Sequence, residues 1–248
     1  GGTTNAYLLD GLLVDPAART DTLDAAVAAA DPPVAAVAVT HAHSDHVGAV
    51  AEYTALTDAT VVAREGYAGR FAEAAGTEPD ETVAPGETVG ETAARVVDTP
   101  GHTPDHVGFA VGDARSGSVC CCGDLAVAEG SVAVAAPEGD LAAYLASLER
   151  VRDAGFDRLL PGHGPPIDGP AAACDRLVDH RLARERDVLA AVAGGASDPE
   201  AVVDAAYEKN LAGVRDLALA TVAAHLTKLR EDGRIGEVWA DRLAAAGF

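Results

Sequence analysis

The sequence predicts an α/β fold in two parts, a larger unit in which strands and helices alternate and a smaller helical unit at the C-terminal end. Two observations support this prediction. Apolar strand-like runs alternate with helical segments up to about residue 170, which is typical of layered α/β folds. After Pro170 the sequence contains long helical segments and little strand signal. We therefore expect one domain at residues 1–170 and a second at residues 171–248.

The elements of the first domain follow from turn signals and periodicity. A hairpin is predicted over 5–14, because apolar residues flank the Asp10-Gly11 dipeptide, which favours a tight turn. The segment 34–40 is almost entirely apolar, which indicates a fully buried strand. The periodicity of the remaining segments predicts helices at 22–30, 47–56, 66–75 and 141–153, and strands at 60–63, 87–89, 94–98, 107–111, 118–122 and 158–160.

The second domain is predicted to be helical. A long helix is expected over 171–193, and Ser197-Asp198-Pro199 supplies an N-cap and a first-turn proline for a helix that ends near Tyr207. A further helix is expected over 217–231, where apolar residues at 217, 219, 222, 226 and 229 form a stripe. Gly233 to Val238 is predicted as a strand or a wing.

The charge of the chain is strongly negative and unevenly distributed. Asp and Glu number 39 against 18 Lys and Arg, a net charge of −21. Residues 1–170 carry 8 basic and 26 acidic residues (−18), whereas residues 171–248 carry 10 and 13 (−3). Because this acid excess occurs with few lysines and small apolar residues, we interpret it as adaptation to high intracellular salt; an ordinary solvated acidic surface is the alternative. Salt near 1 M screens charge within about 3 Å, so net charge does not exclude an RNA substrate.

The four cysteines indicate a reducing compartment. Cys120, Cys121 and Cys122 are consecutive, and no CxxC spacing occurs with Cys174. Such an arrangement does not form a normal disulfide network, so we expect reduced thiols in a cytoplasmic protein, with the first three in a buried strand. The longest apolar stretches are too short to cross a bilayer, so no membrane association is expected.

Potential metal ligands are concentrated directly after the buried strand at 34–40. His41, His43, Asp45 and His46 lie within six residues. Extended residues two apart point the same way, so His41 and His43 can converge on one ion. Four such side chains in so short a segment have no evident structural reason, and imidazole and carboxylate are common metal ligands. The cluster therefore predicts a metal site.

Three later segments share one pattern, in which an apolar strand and a glycine precede a ligand type. They end at His102, Asp124 and His163, in Val96-Val97-Asp98-Thr99-Pro100-Gly101-His102, Cys120-Cys121-Cys122-Gly123-Asp124 and Leu159-Leu160-Pro161-Gly162-His163. Strand ends in a layered α/β fold meet at one edge, where loops assemble a site. We expect these residues to join the histidine cluster.

The motif set resembles the metallo-β-lactamase superfamily. His-x-His-x-Asp-His is followed in order by Gly-His-Thr, Gly-Asp and Pro-Gly-His-Gly, and the resemblance covers about residues 3–168. It implies a four-layer αβ/βα sandwich, and its ligand set is similar to the glyoxalase II and ribonuclease branches rather than to class B β-lactamases. By the same resemblance the first ion is held by His41, His43 and His102, the second by Asp45, His46 and His163, and Asp124 bridges the two.

This ligand set predicts hydrolysis. Its mixed nitrogen and oxygen donors suit zinc, with iron or manganese as alternatives. Two ions sharing a water produce a bridging hydroxide as nucleophile and polarise a carbonyl or phosphoryl oxygen. Asp45 and Asp124 are the predicted catalytic residues, with Asp45 also orienting the nucleophile. His106 is predicted to form structural hydrogen bonds near the site, and His225 to pack or cap. His180 is a candidate to face the active-site mouth, and no role is predicted for it.

The tail is similar to a winged-helix unit and to the tail of the β-lactamase-like protein 2 group, which includes single-strand endoribonucleases. Arg181, Arg184 and Arg186 lie within two turns of one helix, where they could attract an anionic substrate or pair with neighbouring acids. Duplex DNA binding is not expected, because Lys228 and Arg230 are the only basic residues of the helix that would recognise it. A wall of the substrate cleft or a homodimer contact is the expected role of the tail.

Three functional hypotheses follow. The first is a binuclear zinc hydrolase that cleaves single-stranded RNA, and the second is a glyoxalase II-like hydroxyacyl thioesterase or another ester hydrolase acting on a small molecule. The third is a non-catalytic or redox module that borrows the fold, against which the complete ligand set argues.

Overall fold

Nine strands and nine helices are present in residues 3–113, 117–207 and 211–248, which are the residues that the computed structural model describes. The strands are β1 (Tyr7–Leu9), β2 (Leu12–Val14), β3 (Ala36–Ala38), β4 (Thr60–Arg64), β5 (Glu81–Val83), β6 (Arg95–Asp98), β7 (Val107–Asp113), β8 (Gly117–Gly123) and β9 (Arg158–Pro161). The helices are α1 (Asp21–Ala28), α2 (Ser44–Val47), α3 (Val50–Thr57), α4 (Ala68–Ala75), α5 (Leu141–Ala154), α6 (Pro170–Ala193), α7 (Pro199–Ala206), α8 (Arg215–Glu231) and α9 (Val238–Ala245).

Two mixed sheets form the centre of the first domain. One has the strand order β1-β2-β3-β4-β5, with β1 antiparallel to β2 and the other pairs parallel. The other has the order β6-β7-β8-β9, in which only β8 and β9 are parallel. The hairpin predicted at Asp10-Gly11 is confirmed, since both residues have positive φ (44° and 85°) and Leu9 pairs with Leu12.

The sheets are stacked between two layers of helices. Apolar side chains of both sheets, such as Val14 and Phe109, form one buried cluster between them. The outer face of the first sheet packs with Val50 and Tyr53 of α3, and that of the second packs with Leu148 of α5. This helix–sheet–sheet–helix order confirms the predicted αβ/βα sandwich.

Two predicted elements differ from the structure. The helix expected over 47–56 begins only at Val50, as α3, and is preceded by the separate short helix α2. Between them the chain passes so close to Ala17 that a Cβ at Gly48 would lie 2.3 Å from its carbonyl oxygen. The strand expected at 87–89 is a single bridge between Thr88 and Arg95, and the strand that pairs with β4 is β5 instead. In β5 only Val83 is buried, so this edge strand carries no apolar pattern.

The C-terminal region is helical, as predicted, but without the expected wing. The segment after α8 turns at Gly233 and enters α9, so no strand forms over 233–238. Asp198 caps α7 by accepting from Ala201 N, which confirms the predicted start of that helix. The predicted stripe on α8 is only partly buried: Val222, Leu226 and Leu229 are inside, whereas Leu217 is about half exposed.

Helix α6 joins the two parts of the chain. Its first half contributes Cys174 and Leu177 to the core beneath the second sheet. Its second half contributes Val188 to a separate apolar cluster with α7, α8 and α9. Within the part of the chain that the structure describes, no helix is both long and apolar enough to pass through a bilayer.

Candidate metal centre

The first group of potential ligands lies where β3 and β6 end. His41 and His43 follow β3, and His102 follows β6. His43 Nδ1 lies 3.0 Å from His41 Nε2 and 3.1 Å from His102 Nε2. Three nitrogens of three imidazoles therefore face one point.

The second group lies on the other side of His41. Asp45 and His46 stand in α2, and His163 follows β9. Asp45 Oδ2 lies 3.4 Å from His163 Nε2 and 4.0 Å from His46 Nε2. His46 is fully buried, whereas the Asp45 side chain is 58% exposed.

Asp124 lies between the two groups. Its Oδ1 is 3.7 Å from His46 Nε2, and its Oδ2 is 3.7 Å from His102 Nε2 and 3.5 Å from His163 Nε2. The structure thus brings together all seven residues that the sequence predicted as ligands, in groups whose ligand atoms lie within 4.8 Å of one another: His41, His43 and His102; His41, His46 and Asp124; Asp45, His46 and His163.

The donor atoms fit divalent cations. His46 Nε2 and Asp124 Oδ1 are buried and have no hydrogen-bond partner among the residues that the structure describes, which is costly unless a ligand satisfies them. Burial lowers the pKa of His41 well below its usual value and also lowers that of His102, so both imidazoles are neutral and have a free nitrogen. Burial alone would lower the pKa of His46 too, but the hydrogen bond to Asp15 and the nearby carboxylates raise it, as expected where negative potential surrounds a cation site.

Glycines allow the ligand loops to approach one another. A Cβ at Gly162 would lie 2.6 Å from Asp124 Oδ1 and 2.8 Å from His46 Cε1. A Cβ at Gly123 would lie 2.5 Å from Thr40 Oγ1. Close packing therefore requires glycine at the positions that precede His163 and Asp124.

Asp15 supports the site and was not recognised in the sequence. It follows β2, and its buried carboxylate accepts hydrogen bonds from Thr40 N (2.6 Å), Thr40 Oγ1 (2.8 Å) and His46 Nδ1 (2.9 Å). This contact leaves His46 Nε2 directed at Asp124. The only signal in the sequence is an aspartate and a proline at the end of an apolar strand.

Hydrogen bonds also fix His102 and His106. His102 Nδ1 donates to the Ala133 carbonyl at 2.7 Å. His106 Nδ1 donates to the Thr99 carbonyl at 2.9 Å, and its Nε2 accepts from Asp124 N at 3.1 Å. The predicted structural role of His106 is confirmed, since it positions the backbone of Asp124.

A charged network covers the outer side of His43. Its Nε2 donates to Glu138 Oε2 at 3.2 Å, and Arg70 donates to both oxygens of Glu138 at 2.8 and 2.9 Å. The hydrogen bond from Arg70 lowers the pKa of Glu138 to about 2. Neither residue could be recognised from the sequence, because both lie far along the chain from the ligand motifs.

The predicted basic face of the tail is only partly accessible. Arg181 and Arg184 line a cavity of about 350 Å³ together with Ala133, whose carbonyl accepts the hydrogen bond from His102. Arg181, however, is buried and donates to the Val132 carbonyl. Arg184 stacks over Tyr207 at 3.9 Å and contacts Asp187 at 3.4 Å. Burial therefore removes Arg181 from the surface that could attract an anionic substrate, and the contact of Arg184 with Asp187 fits the alternative of pairing with a neighbouring acid.

His225 lies away from the metal centre. It is buried in α8, and within the described part of the chain neither ring nitrogen has a hydrogen-bond partner. The packing role predicted for it is confirmed, and the capping alternative is not. His180 lines the same cavity as Arg181 and is not part of the metal groups formed by the described residues.

Comparisons with known proteins agree with this geometry. The family model described as Metallo-beta-lactamase superfamily matches residues 1–163. The chain is 29% identical to the Beta-lactamase-like protein 2 homolog of Caenorhabditis elegans, over 93% of this chain and 79% of that protein. It is 28% identical to the Atrochrysone carboxyl ACP thioesterase of Aspergillus fumigatus, over 94% and 78%.

Solved structures show the same fold. A metallo-beta-lactamase family protein from Thermus thermophilus is 24% identical and superposes with a TM-score of 0.71, covering 93% of this chain and 89% of that one. The crystal structure of TTHA1623 in a di-iron-bound form is 30% identical, with a TM-score of 0.52 and coverage of 68% and 92%.

Proposed function

The chain belongs to the metallo-beta-lactamase superfamily, and we propose that it is a hydrolase of acyl thioesters that works with two divalent ions. The observation that carries the proposal is the position of Asp124. One carboxylate lies within 3.7 Å of ligand nitrogens on both sides, and its Oδ1 is buried without a partner. A carboxylate in this position is suited to bridge two cations.

The proposed ligands follow from the atoms that face one another. The first ion would be held by His41 Nε2, His43 Nδ1 and His102 Nε2. The second would be held by Asp45, His46 and His163, with Asp124 shared. Zinc suits this mixed nitrogen and oxygen set, and iron is the main alternative. A 30% identical protein has been solved in a di-iron-bound form, which supports iron as the alternative to zinc.

Bound divalent ions supply Lewis acidity toward a carbonyl or phosphoryl oxygen and make a water acidic enough to attack near neutral pH. The residues of the chain provide the rest. Asp45, which is exposed to solvent beside His163, can accept a hydrogen bond from the attacking water and hold its proton. Asp15 and Ala133 fix the imidazoles of His46 and His102, so the ligands need not reorganise.

The chain's own thiols are not suited to act as nucleophiles. All four cysteines are buried, and burial raises the pKa of Cys120 to about 12 and that of Cys174 to about 11. A thiol must ionise to attack, so covalent catalysis by these residues is not expected. Activated water is consistent with the rest of the site.

A thioester substrate is favoured because the fungal relative is named for that activity, whereas the Beta-lactamase-like protein 2 homolog, which aligns over a similar share of the chain, has a name that states no substrate. The fungal thioesterase aligns with 94% of this chain, including the helical C-terminal region. The RNA hypothesis rests on the similarity of the tail to the β-lactamase-like protein 2 group. An open basic face on α6 would have added to it, and the burial of Arg181 weakens that addition. We therefore place the thioester first and single-stranded RNA second.

Parallel assays would test this proposal. Zinc-loaded protein is incubated at high salt with a hydroxyacyl thioester and, separately, with a labelled single-stranded RNA, with the Asp124→Ala variant as the control for the metal centre. We expect thioester hydrolysis that a chelator abolishes and zinc restores, and that the variant lacks. Cleavage of RNA without thioester hydrolysis, or activity that survives chelation, would contradict the proposal.

A further inference from the structure

Arg70, Asp105 and Glu138 connect three separate segments on the outer side of the first ligand group. Arg70 lies in α4, Asp105 in the loop between β6 and β7, and Glu138 in the loop before α5. None of the three is a member of the ligand groups formed by the described residues. Their contacts nevertheless end on the segment that carries His41 and His43.

Arg70 is the centre of this network. Its two terminal nitrogens donate to Glu138 Oε1 and Oε2 at 2.8 and 2.9 Å. On its other side, Nε lies 3.0 Å from Asp105 Oδ1 as an ion pair. Such a bidentate arginine–carboxylate contact fixes the plane of the carboxylate as well as its position.

Each of the two acidic partners of Arg70 also forms a hydrogen bond with the loop that carries His41 and His43. Asp105 Oδ2 accepts from Ala42 N at 2.8 Å, which holds the backbone between His41 and His43. Glu138 Oε2 accepts from His43 Nε2 at 3.2 Å. Because His43 Nε2 carries the proton in this contact, Nδ1 has the free electron pair, and Nδ1 is the atom that faces His41 and His102.

His43 needs this support more than the other ligands of its group. Its side chain is 37% exposed, whereas His41 is buried and His102 nearly so. An exposed imidazole can rotate and present either nitrogen to solvent. Hydrogen bonding of the second nitrogen to a carboxylate is the general means of fixing a histidine ligand and its tautomer.

We propose that Arg70, Asp105 and Glu138 form a positioning unit that holds His43 with Nδ1 directed into the first metal site. The unit contributes no ligand of its own. It acts through the orientation of His43 and the backbone of Ala42, so its loss should weaken metal binding at the first site. The inference rests on the assignment of His43 to a metal site and is independent of the substrate.

The test compares metal affinity among variants of the full chain. Glu138→Ala removes the acceptor of His43, and Glu138→Gln retains an acceptor oxygen at the same place. Glu149→Gln is the matched control, because Glu149 is exposed on α5. The first equivalent of zinc is titrated in competition with a chelator, and the absorption spectrum of the first cobalt equivalent reports the geometry of the site. Thermal melting of each metal-free protein reports folding.

Loss of the hydrogen bond should weaken the first zinc equivalent by roughly 10–100-fold in Glu138→Ala. Glu138→Gln should recover part of this loss, and Glu149→Gln should match the wild type. The cobalt spectrum should change in Glu138→Ala while the melting temperature of the metal-free protein stays near that of the wild type. These results would support a positioning role, because a purely structural role would lower the melting temperature without selective rescue by glutamine.

Two results would overturn the proposal. One is affinity and cobalt spectra within about twofold of the wild type in Glu138→Ala, a change of about 0.4 kcal/mol. The other is an equal loss in Glu138→Ala and Glu138→Gln together with a lower melting temperature. If Glu138→Ala fails to fold, Arg70→Lys keeps the charge but not the bidentate contact; unchanged affinity and spectra in that variant would also overturn the proposal.

Discussion

Asp15 shows how much of the metal centre depends on one residue that binds no ion in the proposed assignment. Its carboxylate is fully buried and joins the end of β2 to Thr40 and His46. Its backbone has a φ of 51°, a conformation that aspartate and asparagine tolerate better than most residues. The position therefore combines a turn requirement with the support of a ligand.

Asp15→Asn should weaken the second metal equivalent more than the first. The amide keeps the size and the backbone preference of aspartate but removes the negative charge beside His46, and such supporting contacts typically change affinity by about 10–100-fold. Competition with a chelator measures both equivalents. Asp10→Asn is the control, since Asp10 also has a positive φ (44°) and lies exposed in the β1–β2 turn. Equal metal affinities in Asp15→Asn and the control would show that the charge of Asp15 does not support the second metal site.

His225 predicts a pH dependence of stability that is unrelated to the metal centre. Burial lowers its pKa to about 3, and the charges of Arg181, Arg184 and Lys228 act in the same direction. In the unfolded chain its pKa is about 6.5. Because the unfolded state binds the proton more readily, the stability that neutral His225 provides is present above about pH 6.5 and is lost as the pH falls toward 3.

Replacing His225 by leucine should therefore reduce the loss of stability in acid. Between pH 7 and pH 5 the wild type should lose about 2 kcal/mol more unfolding free energy than His225→Leu, since one pKa unit corresponds to about 1.4 kcal/mol. Urea unfolding at both pH values measures the difference, in which contributions from the other histidines cancel. Parallel pH profiles of the two proteins would show that His225 binds its proton equally well in the folded and unfolded states, so that folding does not lower its pKa.

At the scale of single residues the sequence identified the seven ligands but, of the residues that support them, only His106. The seven predicted ligands lie in short sequence motifs, and they are histidines and aspartates, which commonly bind metal ions. Asp15, Arg70 and Glu138 are ordinary acidic and basic residues, and only the tertiary fold brings them to the histidines. Arg181 shows the reverse error, since helical spacing placed it correctly beside Arg184 but could not show that packing buries it.

Strand ends and the glycines that follow them are the elements that build the centre. β8 and β9 run parallel, so Asp124 and His163 leave the sheet at the same edge. The loops approach so closely that Gly162 lies against Asp124 and His46. The strands β3, β8 and β9 were predictable because their sequences are apolar runs. The position of β5 was not, because it depends on pairing with β4, and the division of the segment 44–57 into two helices was not, because it involves a close tertiary contact at Gly48.

Gly162→Ala should damage the metal centre without unfolding the chain. The added methyl group would come within 2.6 Å of Asp124 Oδ1, so one of the ligands must move. We expect a loss of metal, first from the second site, while the melting temperature of the metal-free protein changes little. Gly169→Ala is the control, because no atom lies within 4 Å of its added methyl group. Full metal content in Gly162→Ala would mean that the loop relaxes and that the close approach is not required.

The whole molecule carries a charge of −21, and most of it lies in residues 1–170. Like charges on one surface destabilise the folded state through repulsion. Ion pairs such as Arg215 with Glu200 and Arg152 with Asp175 offset part of this repulsion, but the acidic residues outnumber the basic ones by 39 to 18. The net negative charge could be predicted from the composition alone, because it does not depend on the fold.

Stability should therefore rise with potassium chloride. We expect a gain of about 2 kcal/mol, or roughly 4–8 °C in Tm, between 0.05 and 1 M salt. Screening is nearly complete near 1 M, where the Debye length is about 3 Å. A melting temperature that is constant below 1 M and rises only at higher concentrations would indicate exclusion of salt from the surface, not relief of repulsion.

The central claim is that this fold assembles a centre for two ions around Asp124. Metal analysis of protein loaded with excess zinc and freed of unbound ions tests it most directly. We expect two zinc ions per wild-type chain, and a large loss of both in Asp124→Ala, because the carboxylate lies within 3.7 Å of ligand nitrogens in each group. At most one ion in the fully loaded wild type, or two ions retained in Asp124→Ala, would contradict the account.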